Sequence, residues 1–260
     1  MGALRASTRG LAFVKIAVLA RLLLPEQFGL FGIASLVLSF LEIATETGIN
    51  IFLIQEKAEI KDYVDTAWVV SIVRGFVIAL ILFLLAPFIA SFFNSPRALG
   101  LLRLITLVPL VRGFINPAVV KYQKDLEFNK EFLLRVAVFV LDAVVAIGVA
   151  MWLKSASSLV WGMVAGALTE VFVSHLFVKP RPKLSIEMDK VRRVLDRGKW
   201  VTAAGFFNYL FREGDDIVVG RLLNTTALGL YQVAYKISTL PITEVLLFRF
   251  LQRSQIAPKG

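Results

Sequence analysis

Arg212, Glu213, Asp215 and Asp216 stand in the middle of WVTAAGFFNYLFREGDDIVVGRLL, a stretch from Trp200 to Leu223 that is long enough to cross a bilayer. Charged groups at such depth hold a charged solute, carry a coupling ion, or pair with one another to fix helices. Exposure to lipid is excluded by magnitude. Each central charge costs roughly 3 kcal/mol to insert, so four cost on the order of 12. The ten Val, Leu, Ile and Phe residues of the stretch return only about 5 kcal/mol. At about 100° per residue, Gly205, Asn208, Tyr209, Arg212, Asp215 and Asp216 share an arc of roughly 120°. The spacing predicts a polar stripe turned toward other helices or a wet cavity.

Ionisable groups recur in the other apolar stretches. Glu42 and Glu46 lie one turn apart, with Ser35, Ser39 and Thr45 on the same face. Lys15 and Arg74 each interrupt an apolar run, and Arg112 shares a face with Pro109 and Asn116. Asp142 lies two turns from Arg135, Glu170 is followed by Ser174 one turn on, and Lys236 and Glu244 flank Pro241. Glu42, Glu46, Arg212, Asp215 and Asp216 are too central to reach water by snorkelling. They are expected to line an internal hydrophilic cavity, the alternative being salt bridges that fix helix packing. Arg21, Arg103, Arg221 and Arg249 lie near helix ends and are expected to snorkel. His175 is read as interfacial. The Gly162-x-x-x-Gly166 spacing permits close helix contact.

The elements that must position these groups are membrane helices. Of the 260 residues, 57% are hydrophobic and only 18% are charged, against about 25% in soluble domains; mean hydropathy is +0.74. Eight spans are expected: Leu4–Leu24, Phe28–Ile54, Ala67–Phe92, Gly100–Val120, Phe132–Leu153, Ser158–Val178, Trp200–Leu222 and Ala227–Phe250. The fold class is therefore an all-α polytopic membrane protein. Lys15 interrupts the first apolar run and no A-x-A-like site follows, so Leu4–Leu24 is read as a retained helix rather than a cleaved signal. Loops on one side carry 15 basic residues and those on the other carry two, Arg97 and Lys154. This asymmetry places the N-terminus and the basic loops in the cytoplasm, and it accounts for most of the +10 net charge without nucleic acid. Between Lys179 and Lys199, Ser185 is expected to cap a short amphipathic helix lying on the anionic leaflet.

Absences narrow the chemistry. The chain has no cysteine and one histidine, so disulfides, thiolate metal sites and a Ser-His-Asp triad are excluded. No Gly-x-x-x-x-Gly-Lys-Ser/Thr loop and no selectivity-filter motif is present. No cofactor or enzymatic activity is expected. Fixed positive charge in a cavity suits an anionic, phosphate-bearing solute, and membrane carboxylates suit coupling to a proton or sodium gradient.

An internal repeat organises the chain. Leu19–Ala34 (LARLLLPEQFGLFGIA) aligns without gaps on Val219–Ala234 (VGRLLNTTALGLYQVA) at an offset of 200, with six of sixteen positions identical, Arg21/Arg221 and Gly29/Gly229 among them. Span seven then repeats span one in the same orientation, as in transporters built from parallel repeats. The expected units are a six-helix lobe over 1–178, a basic cytoplasmic linker over 179–199, and the first two helices of a second lobe over 200–260.

RGLAFVKIAVLARLLLPEQFGLFGIASLVLSFLEIATETGINIFLIQ, NPAVVKYQKDLEFNKEF and FREGDDIVVGRLLNTTALGLYQVAYKISTLP together resemble the O-antigen and exopolysaccharide flippases of the multidrug/oligosaccharidyl-lipid/polysaccharide superfamily. The resemblance implies two six-helix lobes around a cleft, alternating access, and movement of an undecaprenyl-diphosphate-linked oligosaccharide across the inner membrane for polysaccharide or lipopolysaccharide biosynthesis. It also implies that cleft cations hold the diphosphate; Lys15, Arg74, Arg112 and Arg212 are the matching positions. Asp215, Asp216, Glu42, Glu46 and Asp142 are then coupling groups or counter-charges. Partners would be membrane lipid, a polysaccharide polymerase and glycosyltransferases. Family members carry twelve to fourteen helices, so a fragment or truncated product is expected. A drug/cation antiporter of the same superfamily, or a non-transporting scaffold for polysaccharide assembly, are the alternatives.

Overall fold

The computed structural model describes residues 12, 14–46 and 61–238. The described chain is helical, with no strand among the described residues. Residues 14–22 form a first helical segment. It is followed by α1 (Pro25–Ala44), α2 (Lys61–Phe92), α3 (Ala98–Ile105), α4 (Leu107–Arg112), a 3-10 turn (Pro117–Val120), α5 (Lys121–Lys124), α6 (Phe128–Leu153), α7 (Ser157–Phe177) and α8 (Met188–Leu222). Residues 225–238 are again helical. Among the described residues, α1, α2, α6 and α7 are long and apolar enough to cross a membrane, and the pair Ala98–Arg112 and Pro117–Lys124, bent by 72°, is apolar enough to make a fifth if it is one broken span. These correspond to expected spans two to six. Pro241, Glu244 and Arg249 lie outside the described residues. The short amphipathic helix and the seventh span are one element, since α8 runs unbroken for 35 residues.

Local chemistry explains the boundaries. Pro25 opens α1, where its missing N–H costs nothing, and the Leu24 N–H donates to the Gln27 side chain at 3.0 Å. The fourth span breaks because Pro117 disfavours helical backbone at the residue before it. Asn116 is accordingly extended (φ −67°, ψ 114°), and the two halves meet at 72°. Broken backbone at membrane depth needs partners. The Asn116 side chain accepts from Ala118 N–H at 2.9 Å and donates to the Pro180 carbonyl at 3.1 Å, and Asn116 is wholly buried. The Trp68 indole donates to the Phe114 carbonyl at 3.1 Å.

Small residues set the helix spacing. A Cβ on Gly75 would fall 2.4 Å from the Pro109 carbonyl oxygen, so α2 and α4 touch backbone to backbone there. Gly162 and Gly166 face Asp142, Ala146 and Val138, which seats α7 on α6 as their spacing predicts. The largest core cluster runs from Ile33 and Leu38 of α1 through Leu82 of α2 and Leu102 and Ile105 of α3 to Val160 and Val164 of α7.

The two aligned stretches meet in the fold. α8 and the 225–238 helix both pack on α1, and Gly29 and Gly229 meet at their crossing. A Cβ on Gly29 would strike the Thr225 carbonyl, and one on Gly229 would strike the Pro25 carbonyl. Residues 25 and 225, and 29 and 229, are equivalent in the sequence alignment. Reciprocal contact between equivalent positions is what a local two-fold axis produces.

Candidate functional site

Three elements, α1, α2 and α4, bring charged residues of the first six spans together. Glu42 lies in the last turn of α1 and Glu46 two residues beyond its end, Arg74 lies in the first half of α2, and Arg112 is the last residue of α4. Arg112 Nη1 donates to Glu42 Oε1 at 2.8 Å, and Arg74 Nη2 donates to Glu46 Oε2 at 3.0 Å. Arg74 also donates to the Glu42 carbonyl and, at 3.3 Å, to Thr45 Oγ1. These groups border a cavity of about 550 Å³, together with Asn116, Gln123, Glu131, Arg135 and Glu170. A smaller cavity of about 330 Å³ shares Arg112, Leu134, Arg135 and Glu170 with it and extends to Asp142. Both arginines are partly exposed to the cavity. Each can therefore exchange its carboxylate for another oxyanion, and a guanidinium does this in a planar, two-pronged geometry.

Lys15 does not border the larger cavity. Its Nζ donates to Asp142 Oδ2 at 2.6 Å, tying the first helical segment to α6. Asp142 Oδ1 is buried and has no hydrogen-bond partner among the described residues. Gly162 leaves the space for it, since a Cβ there would lie 2.5 Å from Oδ1. Breaking such a pair leaves a charge stranded, whereas removing both charges does not. Lys15→Met and Asp142→Asn are each expected to cost about 3 kcal/mol. The double variant should regain most of it, read as the melting temperature in detergent.

The polar stripe of α8 divides between two surroundings. Tyr209 is buried and its hydroxyl donates to the Leu36 carbonyl at 2.8 Å. Asp216 is buried and accepts from Gln232 Nε2 at 2.8 Å, and Gln232 in turn lies against Gly32 of α1. These residues form the seam between α8, the 225–238 helix and α1. Asp215 is exposed and accepts from the Tyr231 hydroxyl at 2.6 Å. Arg212 is exposed and makes no ion pair among the described residues; it borders neither cavity. The structure thus brings together Arg74, Arg112, Glu42 and Glu46, places Lys15 with Asp142 beside them, and leaves Arg212, Asp215 and Asp216 apart.

Glu131, Arg135 and Glu170 complete the cavity wall. Arg135 and Asp142, expected on one face of α6, both border the smaller cavity, but Arg135 pairs with Glu131 at 2.7 Å. The i,i+4 spacing of Glu131 and Arg135 was the available signal. Arg103 and Arg221 are exposed near helix ends, over the rings of Phe83 and Phe92 at 5.3 Å each. His175 packs against Trp68, with ring centroids 5.8 Å apart.

Known proteins share this sequence pattern. A family model described as "Polysaccharide biosynthesis protein" matches residues 18–247. The lipopolysaccharide biosynthesis protein WzxC of Escherichia coli (strain K12) is 25% identical over 234 residues, 89% of this chain and 48% of its own length. The succinoglycan biosynthesis transport protein ExoT of Rhizobium meliloti (strain 1021) is 25% identical over 243 residues, 93% of this chain and 49% of its own. The teichuronic acid biosynthesis protein TuaB of Bacillus subtilis (strain 168) is 24% identical over 218 residues, 79% of this chain and 43% of its own. The chain therefore spans about half the length of the relatives it matches. No solved structure matches.

Proposed function

The chain belongs to the polysaccharide biosynthesis protein family, and we propose that it works in a secondary transporter that flips undecaprenyl-diphosphate-linked oligosaccharide from the inner to the outer leaflet of the cell membrane. One observation carries this reading: two guanidinium groups, Arg74 and Arg112, border one cavity in a bundle of apolar helices. The diphosphate would displace Glu46 and Glu42 from them, exchanging carboxylate for phosphate oxygens on the same donors. The sugar would occupy the polar cavity and the polyprenyl tail would stay in lipid. The positive charge of the loops supports an orientation in which the cavity end of the bundle, where Glu46, Arg74 and Arg135 lie, would face the cytoplasm. Lys15 and Arg212 enter this account less directly, Lys15 as the partner of Asp142 and Arg212 from outside both cavities.

Transport would proceed by rocking of repeat-related lobes, driven by a proton or sodium gradient. A polymerase and glycosyltransferases would supply and consume the substrate on the two faces. Reconstituted in vesicles, the full-length protein is expected to make lipid-linked oligosaccharide accessible on the far leaflet when an ion gradient is imposed. Absence of movement under every gradient and membrane potential would sink the reading. Transport of cationic dyes instead would favour the antiporter alternative.

A further inference from the structure

Among the described residues, five carboxylates border the two cavities, and four are held by a base. Glu42 pairs with Arg112, Glu46 with Arg74, Asp142 with Lys15 and Glu131 with Arg135, at distances from 2.6 to 3.0 Å. Glu170 of α7 is the fifth. It lies on the wall common to both cavities, is half-buried, and makes neither ion pair nor hydrogen bond among the described residues. From α6 it faces Arg135, Glu131 and Asp142; from α4, Arg112; from α1, Glu42. On α3 the charged residue Arg103 is instead over Phe83, and on α7 itself His175 Nδ1 lies 3.0 Å from the Val171 carbonyl oxygen.

The count of charges gives Glu170 a role. With its carboxyl ionised, the paired groups cancel and the cavities hold one net negative charge; with it protonated they are neutral. A metal ion would need several oxygen ligands, and no cluster of three His, Cys, Asp or Glu side chains suited to a metal exists among the described residues. A proton needs only the one carboxylate.

We infer that Glu170 is a proton-binding site coupled to occupation of the cavity by an anion, an inference that rests on the reading of Arg74 and Arg112 as the anion site. An anion on Arg112 and an ionised Glu170 compete for the same cation and repel each other at low dielectric. Uptake of one proton by the Glu170 carboxylate, giving the neutral acid, removes both effects. Coupling is reciprocal: the anion promotes protonation, and protonation tightens anion binding by the same factor. The fifth carboxylate thereby links a proton gradient to a cavity whose other charges are already matched.

The test has two arms. In the first, the chain in lipid vesicles is taken from about pH 8 to about pH 5.5, across the carboxyl range of a membrane site, and the protonated-carboxyl stretch is followed by infrared difference spectroscopy. The wild type, Glu170→Asp and the outer-end control Glu26→Gln are expected to gain the band, and Glu170→Gln to lack it. In the second, inorganic pyrophosphate binding is measured by calorimetry at both pH values. The wild-type affinity should rise about tenfold more than that of Glu170→Gln on acidification; the ligand's own titration cancels in that comparison. A band that survives Glu170→Gln, or equal pH slopes in the two proteins, overturns the assignment of Glu170. Failure of pyrophosphate to bind at any pH overturns the anion reading of Arg74 and Arg112, and the coupling with it.

Discussion

Gly29→Ala is expected to lower stability by about 3 kcal/mol or more, the largest effect of any glycine-to-alanine change on the α1 seam. The added Cβ would stand 1.6 Å from the Thr225 carbonyl oxygen, where contacts under 3.0 Å force something to move. The obstacle is backbone, so no rotamer change relieves it. The 225–238 helix would have to withdraw from α1 by more than 1 Å along its outer end, given those two distances. Gly229→Ala meets the reciprocal obstacle, the Pro25 carbonyl oxygen at 2.0 Å, and should behave alike. Gly100 and Gly148 face open space, with nothing within 4 Å of a built Cβ. Alanine there should be neutral or stabilise by up to about 1 kcal/mol through helix propensity. Melting temperatures of the four variants in one detergent decide the matter. Similar values for Gly29→Ala and Gly148→Ala would refute the reciprocal contact, and with it the geometric case for the repeat.

Arg112→Met should reduce the affinity for a diphosphate by about 10- to 150-fold, since a hydrogen-bonded charge contact contributes roughly 1.5–3 kcal/mol. It should also destabilise the protein by about 1–2 kcal/mol, between the values of an exposed and a buried pair, because Glu42 loses its cation in a partly exposed site. The two consequences separate in a double variant. Arg112→Met with Glu42→Gln removes both charges, so stability should largely return while diphosphate binding stays lost. Recovery of both would mean that Arg112 serves packing alone. Arg112→Lys should retain part of the affinity, keeping the charge but not the two-pronged geometry.

The helices were legible in the sequence because apolar length and loop charge are properties of single segments. Spans three to six emerge near their expected bounds and the Gly162/Gly166 contact falls where its spacing puts it, whereas the α1 helix ends at Ala44 rather than Ile54 and the break at Pro117 has no counterpart among the sequence expectations. Helical periodicity likewise places Glu42 with Glu46 and Asp142 with Arg135 on shared faces. It says nothing of which helix those faces meet. Asp142 is held by Lys15, 127 positions away, and Arg135 by its own neighbour Glu131. The stripe on α8 shows the same limit: Tyr209 and Asp216 turn inward to the seam, while Arg212, on the same nominal arc, is exposed. A 120° arc is wide enough to span both environments. The unbroken α8 escaped notice because a charged amphipathic turn and a membrane span obey different composition rules even when one backbone joins them. The unmatched Glu170 needed the full set of ion pairs, which no spacing rule provides.

The claim that Arg74 and Arg112 seat a diphosphate is tested most directly by equilibrium binding of a short-chain polyprenyl-diphosphate sugar to the chain in lipid nanodiscs. The expected result is saturable binding that inorganic pyrophosphate competes away, that a cationic dye leaves untouched, and that is lost in the Arg74→Met/Arg112→Met variant. Undiminished binding in that double variant, or displacement by the dye but not by pyrophosphate, would contradict it.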